Sequence, residues 1–336
     1  MTVKDSVLEA LEASKDDFLS GEALSSMLQV SRTAVWKAIK KLREEGYPIE
    51  AVTNKGYMMM SESWLITEES LRLSLPAKYR DNEIHLYDTI DSTNLRAKQF
   101  ATDNAPHGTI VLAKQQTAGR GRLGRSFFSP LEGIYLSIII RKPLDISHAL
   151  LITSAAAVAV ASSLDEVCGT DAMIKWVNDI YVKGKKVCGI ASEAISDFES
   201  GRIESIVVGI GINTNLKDFP EELLKVAGAV EGNYSRSALV GKITARTLDL
   251  IDQITETALD TPGAEPDFMQ EYRAKSLVLG KNIKVYKGGY RKDISSESGG
   301  LAAKALGISP AGGLEVIYTD GTRETLSTGE ISIRLE

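Results

Sequence analysis

A short segment rich in glycine and arginine is the part of the sequence best suited to binding an anion. Residues 115–130 read QQTAGRGRLGRSFFSP, with three glycines and three arginines between Gly119 and Arg125. Glycines let backbone N–H groups approach phosphate oxygens, and each arginine offers a forked set of hydrogen-bond donors. The segment predicts a loop that orders over a polyphosphate or an adenylate when the ligand binds. A basic surface loop without a ligand is the alternative.

The same glycines fit the spacing G-x-G-x-x-G, which is a weak signal when it stands alone. A dinucleotide-binding unit requires a helix to begin at the third glycine, whereas Pro130 and the apolar run Ile134–Ile140 follow here. The sequence contains no Walker A motif and no protein-kinase catalytic-loop or D-F-G signature. The Rossmann, P-loop and kinase classes are therefore excluded.

Three further polar motifs fit a ligand site. Asp91–Asn94 (DSTN) precedes a predicted helix, so its side chains either bind a ligand or cap the helix. Lys175, in the motif KWVND, ends an apolar strand and is better placed for an anionic ligand than for a core, although a surface lysine is the alternative. The glycines of GIGIN, residues 209–213, indicate close approach of a ligand or a helix to the backbone.

A basic helix is predicted near the N-terminus. Ser31–Arg43 carries five basic residues and no acidic one, although the whole chain has a net charge of −6. Val35, Ile39 and Leu42 form an apolar stripe, and Trp36 lies with the basic residues on the opposite face. A short helix, a tight turn, this helix and a hairpin together predict a winged helix-turn-helix that reads the DNA major groove, with a solvated basic helix as the alternative. The predicted DNA-binding residues are Arg32, Thr33, Trp36, Lys37, Lys40 and Lys41.

The elements that must position these motifs form three zones, and the predicted fold class is α+β. Residues 1–62 are expected to be the winged helix-turn-helix. Residues 63–275 alternate apolar strands with helices and predict a central mixed α/β domain. Its predicted strands are residues 110–114, 134–140, 173–175, 186–192 and 205–212. Residues 276–336 contain five short strand candidates separated by glycine-rich turns, which is typical of a small β-barrel.

Composition narrows the class of protein further. Hydrophobic residues make up 43% and charged residues 25%, as in folded soluble domains. Two cysteines and three dispersed histidines provide neither a disulfide framework nor a zinc cluster, so no metal site is expected in the protein. The N-terminal segment is too charged for a signal peptide, and the apolar run Ala149–Leu164 is short of the roughly 20 residues of a membrane span. We therefore expect a cytoplasmic protein with no membrane partner.

Taken together, the motifs resemble those of the bifunctional biotin–protein ligase/biotin operon repressor family. The resemblance covers essentially the whole chain and also includes VCGIASE at 187–193 and GEISIR at 329–334. It implies a winged helix-turn-helix, a class II synthetase-like ligase domain and an SH3-like β-barrel. It further implies that biotin and ATP, with Mg²⁺, give biotinyl-5′-AMP and pyrophosphate. A lysine of the biotin carboxyl carrier protein, an acetyl-CoA carboxylase subunit, then takes the biotinyl group. Binding of operator DNA as a biotin-responsive repressor and a homodimer formed on ligand binding are also implied.

The resemblance also assigns roles to individual residues. It makes Lys175 and Arg122 catalytic. The implied biotin-binding residues are Ser92, Thr93, Asn94, Gln116, Arg120, Gly121, Arg122 and Lys175. The implied nucleotide-binding residues are Arg120, Arg122, Phe127 and Asn213. Two positions depart from the family pattern, because Val177 stands where many members have proline and Phe127 where many have tryptophan.

Two other functions remain open at this stage. One is a transcription factor whose α/β domain only senses a small molecule, and the other is an acyl-adenylating ligase for another acid such as lipoate. Lys175 and the loop arginines argue against a sensor, because sensing does not require stabilisation of transition-state charge. The DNA-binding zone and the C-terminal barrel favour biotin over lipoate.

Overall fold

The computed structural model describes residues 2–14, 17–45, 47–60, 66–121, 125–144, 148–196, 203–260, 264–286, 300–327 and 332–335. It divides into two units, which are residues 1–81 with 232–242, and residues 82–231 with 243–336. Each unit is described below by itself.

The first unit contains a three-helix domain followed by a hairpin. Its elements are α1 (Val3–Ala13), α2 (Gly21–Leu28), α3 (Arg32–Glu44), β1 (Ile49–Val52), β2 (Gly56–Met59) and α4 (Glu68–Ser74). The Ser31 hydroxyl accepts a hydrogen bond from the backbone N–H of Ala34 at 3.2 Å, so Ser31 is the N-cap of α3. Between α2 and α3, Gln29 adopts the left-handed conformation (φ 53°) that makes the turn tight. The predicted helix-turn-helix with its hairpin is therefore present.

The core of this domain consists of the apolar stripes of its three helices. Val35, Ile39 and Leu42 of α3 are buried against Leu8 and Leu11 of α1. Because these positions recur every three to four residues, they lie on one side of the helix and leave the basic side outward. The amphipathic pattern thus fixes which face of α3 is available to a ligand.

The second unit is built on a seven-stranded mixed sheet. Its strands are β3 (Ile84–Ile90), β4 (Ile110–Gln116), β5 (Ile134–Ile140), β6 (Met173–Lys175), β7 (Asp179–Val182), β8 (Lys185–Ser196) and β9 (Ile203–Ile212). They lie in the order β3-β4-β5-β9-β8-β7-β6, and only the β3–β4 pair is parallel. The helices of this part are α5 (Thr93–Thr102), α6 (Ala149–Cys168), α7 (Glu221–Leu224) and α9 (Phe268–Ala274), together with α8 (Arg236–Asp260) from residue 243 onward.

Helices α5 and α6 cover opposite faces of the sheet. Asn94 of α5 donates a hydrogen bond to Glu193 of β8, whereas Thr153 of α6 forms a hydrogen bond with Ser192, the neighbouring residue on the same strand. Successive residues of a strand point to opposite faces, so the two helices are separated by the sheet. Helix α6 is the one helix in the described ranges that is long and apolar enough to cross a membrane, and 83% of its apolar window is buried inside the protein. Such burial is typical of a core helix, as its sequence predicts.

The C-terminal part forms a second, five-stranded antiparallel sheet. Its strands are β10 (Asn282–Tyr286), β11 (Leu301–Ile308), β12 (Leu314–Tyr318), β13 (Arg323–Leu326) and β14 (Ser332–Leu335). They lie in the order β13-β12-β11-β10-β14. All five predicted strands are thus present, but within the described residues the two outer strands do not pair with each other and the sheet is not closed.

Candidate functional site

A cavity of about 560 Å³ lies on the α5 side of the seven-stranded sheet. Its volume is in the range of small-molecule sites. The predicted ligand-binding residues that line it are Ser92, Thr93, Asn94, Gln116, Arg120, Gly121, Phe127 and Lys175. The DSTN motif, the glycine–arginine segment and the KWVND motif are far apart in the sequence, and residues of all three therefore meet in one cavity. Arg122 and Gly124 lie outside the described residues.

The DSTN motif both starts α5 and faces the cavity. Ser92 is the N-cap, since its hydroxyl accepts from the backbone N–H of Leu95 at 3.4 Å. Gln116 Oε1, at the end of β4, accepts from the backbone N–H of Thr93 at 2.8 Å and from its hydroxyl at 3.1 Å. Gln116 Nε2 donates to the Ser129 hydroxyl at 3.0 Å. Capping and ligand binding, posed as alternatives for this motif, are thus compatible.

Strand β9 passes under the cavity with two glycines on the cavity side. A Cβ at Gly209 would lie 2.0 Å from Asn94 Oδ1, and a Cβ at Gly211 would lie 2.6 Å from Cε1 of the Phe127 ring. On the neighbouring strand, a Cβ at Gly189 would lie 3.2 Å from Cε2 of the same ring. These glycines therefore allow the Asn94 and Phe127 side chains to lie directly against the backbone, as the GIGIN motif predicts.

The register of the sheet sorts these residues into two rows. One row runs from Ser137 through Gly209 to Ala191, and Asn94 lies over it. The second row runs across five strands through Tyr135, Gly211, Gly189, Asp179 and Lys175. Adjacent residues on one face of a strand are about 7 Å apart, so the rows are separated by that distance. The cavity consequently has a neutral polar end and a charged end.

Two lysines occupy the charged end. Lys175 Nζ lies 5.7 Å from the centroid of the Tyr181 ring, and Lys186 Nζ lies 2.6 Å from Asp179 Oδ1. Burial, and after it the charge of Asp179, raises the pKa of Tyr181 to about 12, so this phenol is neutral at physiological pH. Asp179 offsets the charge of only one of the two lysines, so this end of the cavity has a net positive charge.

Lys186 was not predicted from the sequence. Counting alternate residues back from Gly189 places it on the far face of β8, but a bulge at Val187 pairs Lys186 with Tyr181 and returns it to the cavity side. Only the register of β7 against β8 carries this information. The sequence signal was limited to a lysine three residues before the glycine of VCGIASE.

The described ends of the glycine–arginine segment pair with each other as a hairpin. The backbone N–H of Phe127 donates to Gly119 O at 2.8 Å, and that of Gly121 donates to Arg125 O at 2.7 Å. This pairing holds Arg120 at the cavity wall and directs Phe127 onto the glycine floor.

Two other predicted regions lie at the edge of this arrangement. Asn213 is buried and does not line the cavity; its side-chain amide donates to Gly228 O at 3.0 Å. The turn of KWVND is held from below, because the Trp176 indole donates to Gly312 O at 3.0 Å and the Tyr272 hydroxyl donates to Val177 O at 3.1 Å. Val177 does not line the cavity, so the position that departs from the family pattern lies outside the ligand space.

The basic helix of the first unit presents the predicted DNA-binding residues to solvent. All six, namely Arg32, Thr33, Trp36, Lys37, Lys40 and Lys41, are exposed on α3. Arg32, Thr33 and Trp36 line a groove whose other wall is the hairpin from Val52 to Tyr57. The helix and the wing thus offer one continuous surface.

Comparisons with known proteins agree with this arrangement. Residues 86–213 match the biotin/lipoate A/B protein ligase family, and residues 4–58 match an HTH domain. The bifunctional ligase/repressor BirA of Bacillus subtilis is 39% identical over 229 residues, which are 67% of this chain and 70% of that protein. The bifunctional ligase/repressor BirA of Escherichia coli is 27% identical over 329 residues, which are 95% and 94% of the two chains.

A solved structure gives the same result. Biotin protein ligase from Aquifex aeolicus in complex with biotin and ATP has a TM-score of 0.60 and 27% identity, and the match covers 76% of this chain and 99% of that chain. The resemblance found in the motifs is confirmed, and the chain belongs to the BirA family of bifunctional ligase/repressor proteins.

Proposed function

We propose that the chain is an ATP-dependent biotin–protein ligase and a biotin-responsive repressor. It makes biotinyl-5′-AMP from biotin and ATP and transfers the biotinyl group to a lysine of the biotin carboxyl carrier subunit of acetyl-CoA carboxylase. The observation that carries this proposal is the two-row cavity, with a neutral polar end and a cationic end about 7 Å apart. Biotin has the same division, with a neutral urea ring at one end and a carboxylate at the other.

The neutral end suits the ring of biotin. Ser92, Thr93, Asn94 and Gln116 offer both donors and acceptors there, and the urea group has two N–H donors and one oxygen acceptor. The absent side chain of Gly209 leaves room for Asn94, which in turn shapes this end of the cavity. The carboxylate of a ligand bound in this way points toward the second row.

The cationic end suits the reaction centre. A carboxylate oxygen of biotin bonds to the α-phosphorus of ATP while the bond from that phosphorus to the bridging oxygen of pyrophosphate breaks. Lys175 and Lys186 provide ammonium groups beside these anions, and their charge stabilises the negative charge of the transition state. Asp179 holds Lys186 in place until the substrates take over part of that contact. In the second half-reaction, the acceptor lysine amine attacks the mixed anhydride and AMP leaves.

The glycine–arginine loop closes the site in this proposal. Arg120 and Gly121 contact the ligand from the cavity wall, and Arg122 completes the closed loop as the second catalytic residue. Phe127 stacks on the adenine. Asn213, whose amide donates to Gly228 O outside the cavity, holds the segment that follows β9 beside the nucleotide. Closure excludes water and protects the mixed anhydride from hydrolysis.

Mg²⁺ enters the site with ATP in this proposal. Across the described ranges there is no group of three or more His, Cys, Asp or Glu side chains able to hold a metal ion. In this proposal the cation is held mainly by the phosphates and water, and Asp179 provides a carboxylate in the cavity lining. Bound in this way, Mg²⁺ would neutralise charge on the leaving pyrophosphate.

The repressor activity belongs to the first unit. The exposed side of α3 enters the major groove of operator DNA, and the β1–β2 hairpin contacts the neighbouring backbone. One such head contacts few base pairs, so we propose a homodimer that forms on ligand binding and places two heads on two half-sites.

The remaining proposals concern organisation. The domains are residues 1–62, 63–275 and 276–336, with a class II synthetase-like central domain and a C-terminal domain of the SH3-like class. The protein works in the cytoplasm, where its acceptor and its operator are both found.

The test is direct. The protein is mixed with ATP, Mg²⁺ and biotin, and biotinyl-5′-AMP is sought by mass spectrometry, with lipoate in a parallel reaction. Biotinyl-5′-AMP and pyrophosphate are the expected products, and the lipoate reaction is expected to give neither. Formation of a lipoyl adenylate alone, or of no adenylate, would refute the biotin ligase proposal. Failure to shift operator DNA in the presence of biotin and ATP would refute the repressor proposal.

A further inference from the structure

The Asn94 carboxamide is held from two sides by residues that do not line the cavity. Its Nδ2 donates to Glu193 Oε1 at 2.9 Å, and its Oδ1 accepts from the Ser137 hydroxyl at 2.7 Å. Asn94 and Ser137 are both buried, and the carboxamide rests on the bare backbone of Gly209. Asn94 is therefore the contact between the cavity and a layer of polar residues behind it.

Glu193 is the anchor of that layer. Its second oxygen, Oε2, accepts from Lys98 Nζ at 2.6 Å, one helical turn beyond Asn94 on α5. Partial burial by itself would raise the pKa of Glu193, but the hydrogen bonds from Lys98 and Asn94 and the charges of Lys98 and Arg120 lower it overall. The carboxylate is thus ionised at neutral pH, and both of its oxygens can only accept hydrogen bonds.

An asparagine amide can turn by 180° and exchange the positions of its oxygen and nitrogen with little steric change. Ser137 does not select between the two orientations, because a hydroxyl both donates and accepts. A carboxylate does select, since it requires the nitrogen. We infer that Glu193 is a positioning residue that fixes the orientation of the Asn94 amide and thereby sets which donor and acceptor the ring of biotin meets.

This inference rests on the proposed function and deepens it. With Nδ2 directed to Glu193, the second Nδ2 hydrogen and the free lone pair of Oδ1 remain for the ligand. Turning the amide would set its nitrogen, a donor, against an N–H of the urea ring and its oxygen, an acceptor, against the urea oxygen. Specificity for the ring would then depend on Glu193, although Glu193 does not touch the ligand.

The test uses the full-length protein and the variants Glu193→Gln and Lys98→Met, alone and combined. In Glu193→Gln the charged Lys98 takes the single amide oxygen, because charge-assisted hydrogen bonds are the stronger ones. The amide nitrogen of Gln then faces Asn94 and turns it. We expect the Kd of biotin, measured by isothermal titration calorimetry, to rise about 10- to 100-fold. The KM for ATP is expected to stay close to that of the wild type.

The double variant separates positioning from a merely structural role. Without Lys98, the oxygen of Gln is free for Asn94 Nδ2, so biotin affinity is expected to return to within about fivefold of the wild type. Lys98→Met alone breaks the ion pair with Glu193 but leaves the orientation of the Asn94 amide intact. Its biotin affinity is therefore also expected to stay within about fivefold of the wild type. A structural role of the ion pair predicts the opposite order, with the double variant weakest. Glu166→Gln is the matched control, since it breaks the ion pair with Arg246 (2.9 Å), neither member of which lines the cavity.

The outcomes distinguish a failure of the Glu193 inference from a failure of the ligase proposal. Unchanged biotin affinity in Glu193→Gln, or a double variant weaker than Glu193→Gln, would overturn the inference while leaving the ligase proposal intact. If Glu193→Gln is too unstable to titrate, the double variant decides: biotin affinity within about fivefold of the wild type supports the inference, and weaker affinity overturns it. A wild-type protein that binds no biotin would overturn the proposed function and this inference with it.

Discussion

Two glycines of β9 allow the two ends of the cavity to be tested separately. Gly209→Ala places a Cβ 2.0 Å from Asn94 Oδ1 and 2.6 Å from its Cγ, whereas ordinary contact begins at 3.4 Å. Neither Gly209 nor Gly211 has a positive φ, so alanine causes no backbone strain and the effect is steric. Asn94 must withdraw by more than an ångström, which breaks its hydrogen bonds to Glu193 and Ser137.

The displaced Asn94 also withdraws the donor and the acceptor that it offers to the ring of biotin. At about 1 kcal/mol for each of these two ligand hydrogen bonds, the loss costs about 2 kcal/mol, or roughly a 30-fold rise in the Kd of biotin. The two protein hydrogen bonds are lost with and without biotin, so they lower the stability of the fold instead. Gly211→Ala instead places a Cβ 2.6 Å from the Phe127 ring, which lies over Gly211 and Gly189 of the charged row. It is expected to raise the KM for ATP and to change biotin affinity by less than about threefold.

The assay compares the two variants with the wild type. Biotin binding is measured by calorimetry without ATP, and the KM for each substrate is measured by pyrophosphate release. Gly209→Ala should affect biotin and Gly211→Ala should affect ATP. Biotin affinity that is unchanged in Gly209→Ala, or weaker in Gly211→Ala than in Gly209→Ala, would refute the division of the cavity into two ends.

Five further predictions concern other parts of the molecule. Lys175→Ala and Lys186→Ala are each expected to slow pyrophosphate release by about 10²–10³-fold with little change in unfolding temperature, and wild-type turnover would remove that lysine from the mechanism. Burial raises the pKa of both thiols, that of Cys168 from 9.0 to about 12, so neither Cys168 nor Cys188 should react quickly with a disulfide reagent at about pH 8 until the protein is unfolded. Because these pKa values are higher in the folded state, the thiol contribution to stability is complete below pH 9 and is lost as the pH rises toward about 12, which urea unfolding at increasing pH will measure. Arg32→Ala should weaken operator binding in gel-shift assays without changing adenylate formation, and loss of both would contradict the separation of the two activities. When biotin and ATP are added, the dimer fraction measured by sedimentation and the operator affinity should both rise, and both should fall when acceptor is added. Operator affinity that does not depend on biotin, ATP or acceptor would refute ligand control.

Local patterns were sufficient for the N-terminal domain. The apolar stripe of α3 and the hairpin that follows this helix depend on residues close together in the sequence. Helix periodicity and capping act over one or two turns, so the sequence shows them directly. The polar motifs of the ligase part were also visible, because glycine, arginine and lysine in such short runs have few other uses.

The central sheet was harder to predict in two places. Strands β3 and β7 were not among the predicted strands. β3 is an edge strand whose middle residues are only partly buried or exposed, and β7 has four residues. Neither has the long apolar run that distinguishes a strand buried on both faces, such as β5.

The sequence by itself determined which residue types take part: an asparagine at a helix start, glycines in a strand, arginines in a loop and a lysine at a strand end. Only the tertiary structure decided which of them meet. The row from Tyr135 to Lys175 depends on the register of five strands, the bulge at Val187 brings Lys186 to the cavity, and Glu193 reaches Asn94 across 99 residues of chain. Register and bulges are set by packing between distant segments, and a shift of one residue moves a side chain to the opposite face of the sheet.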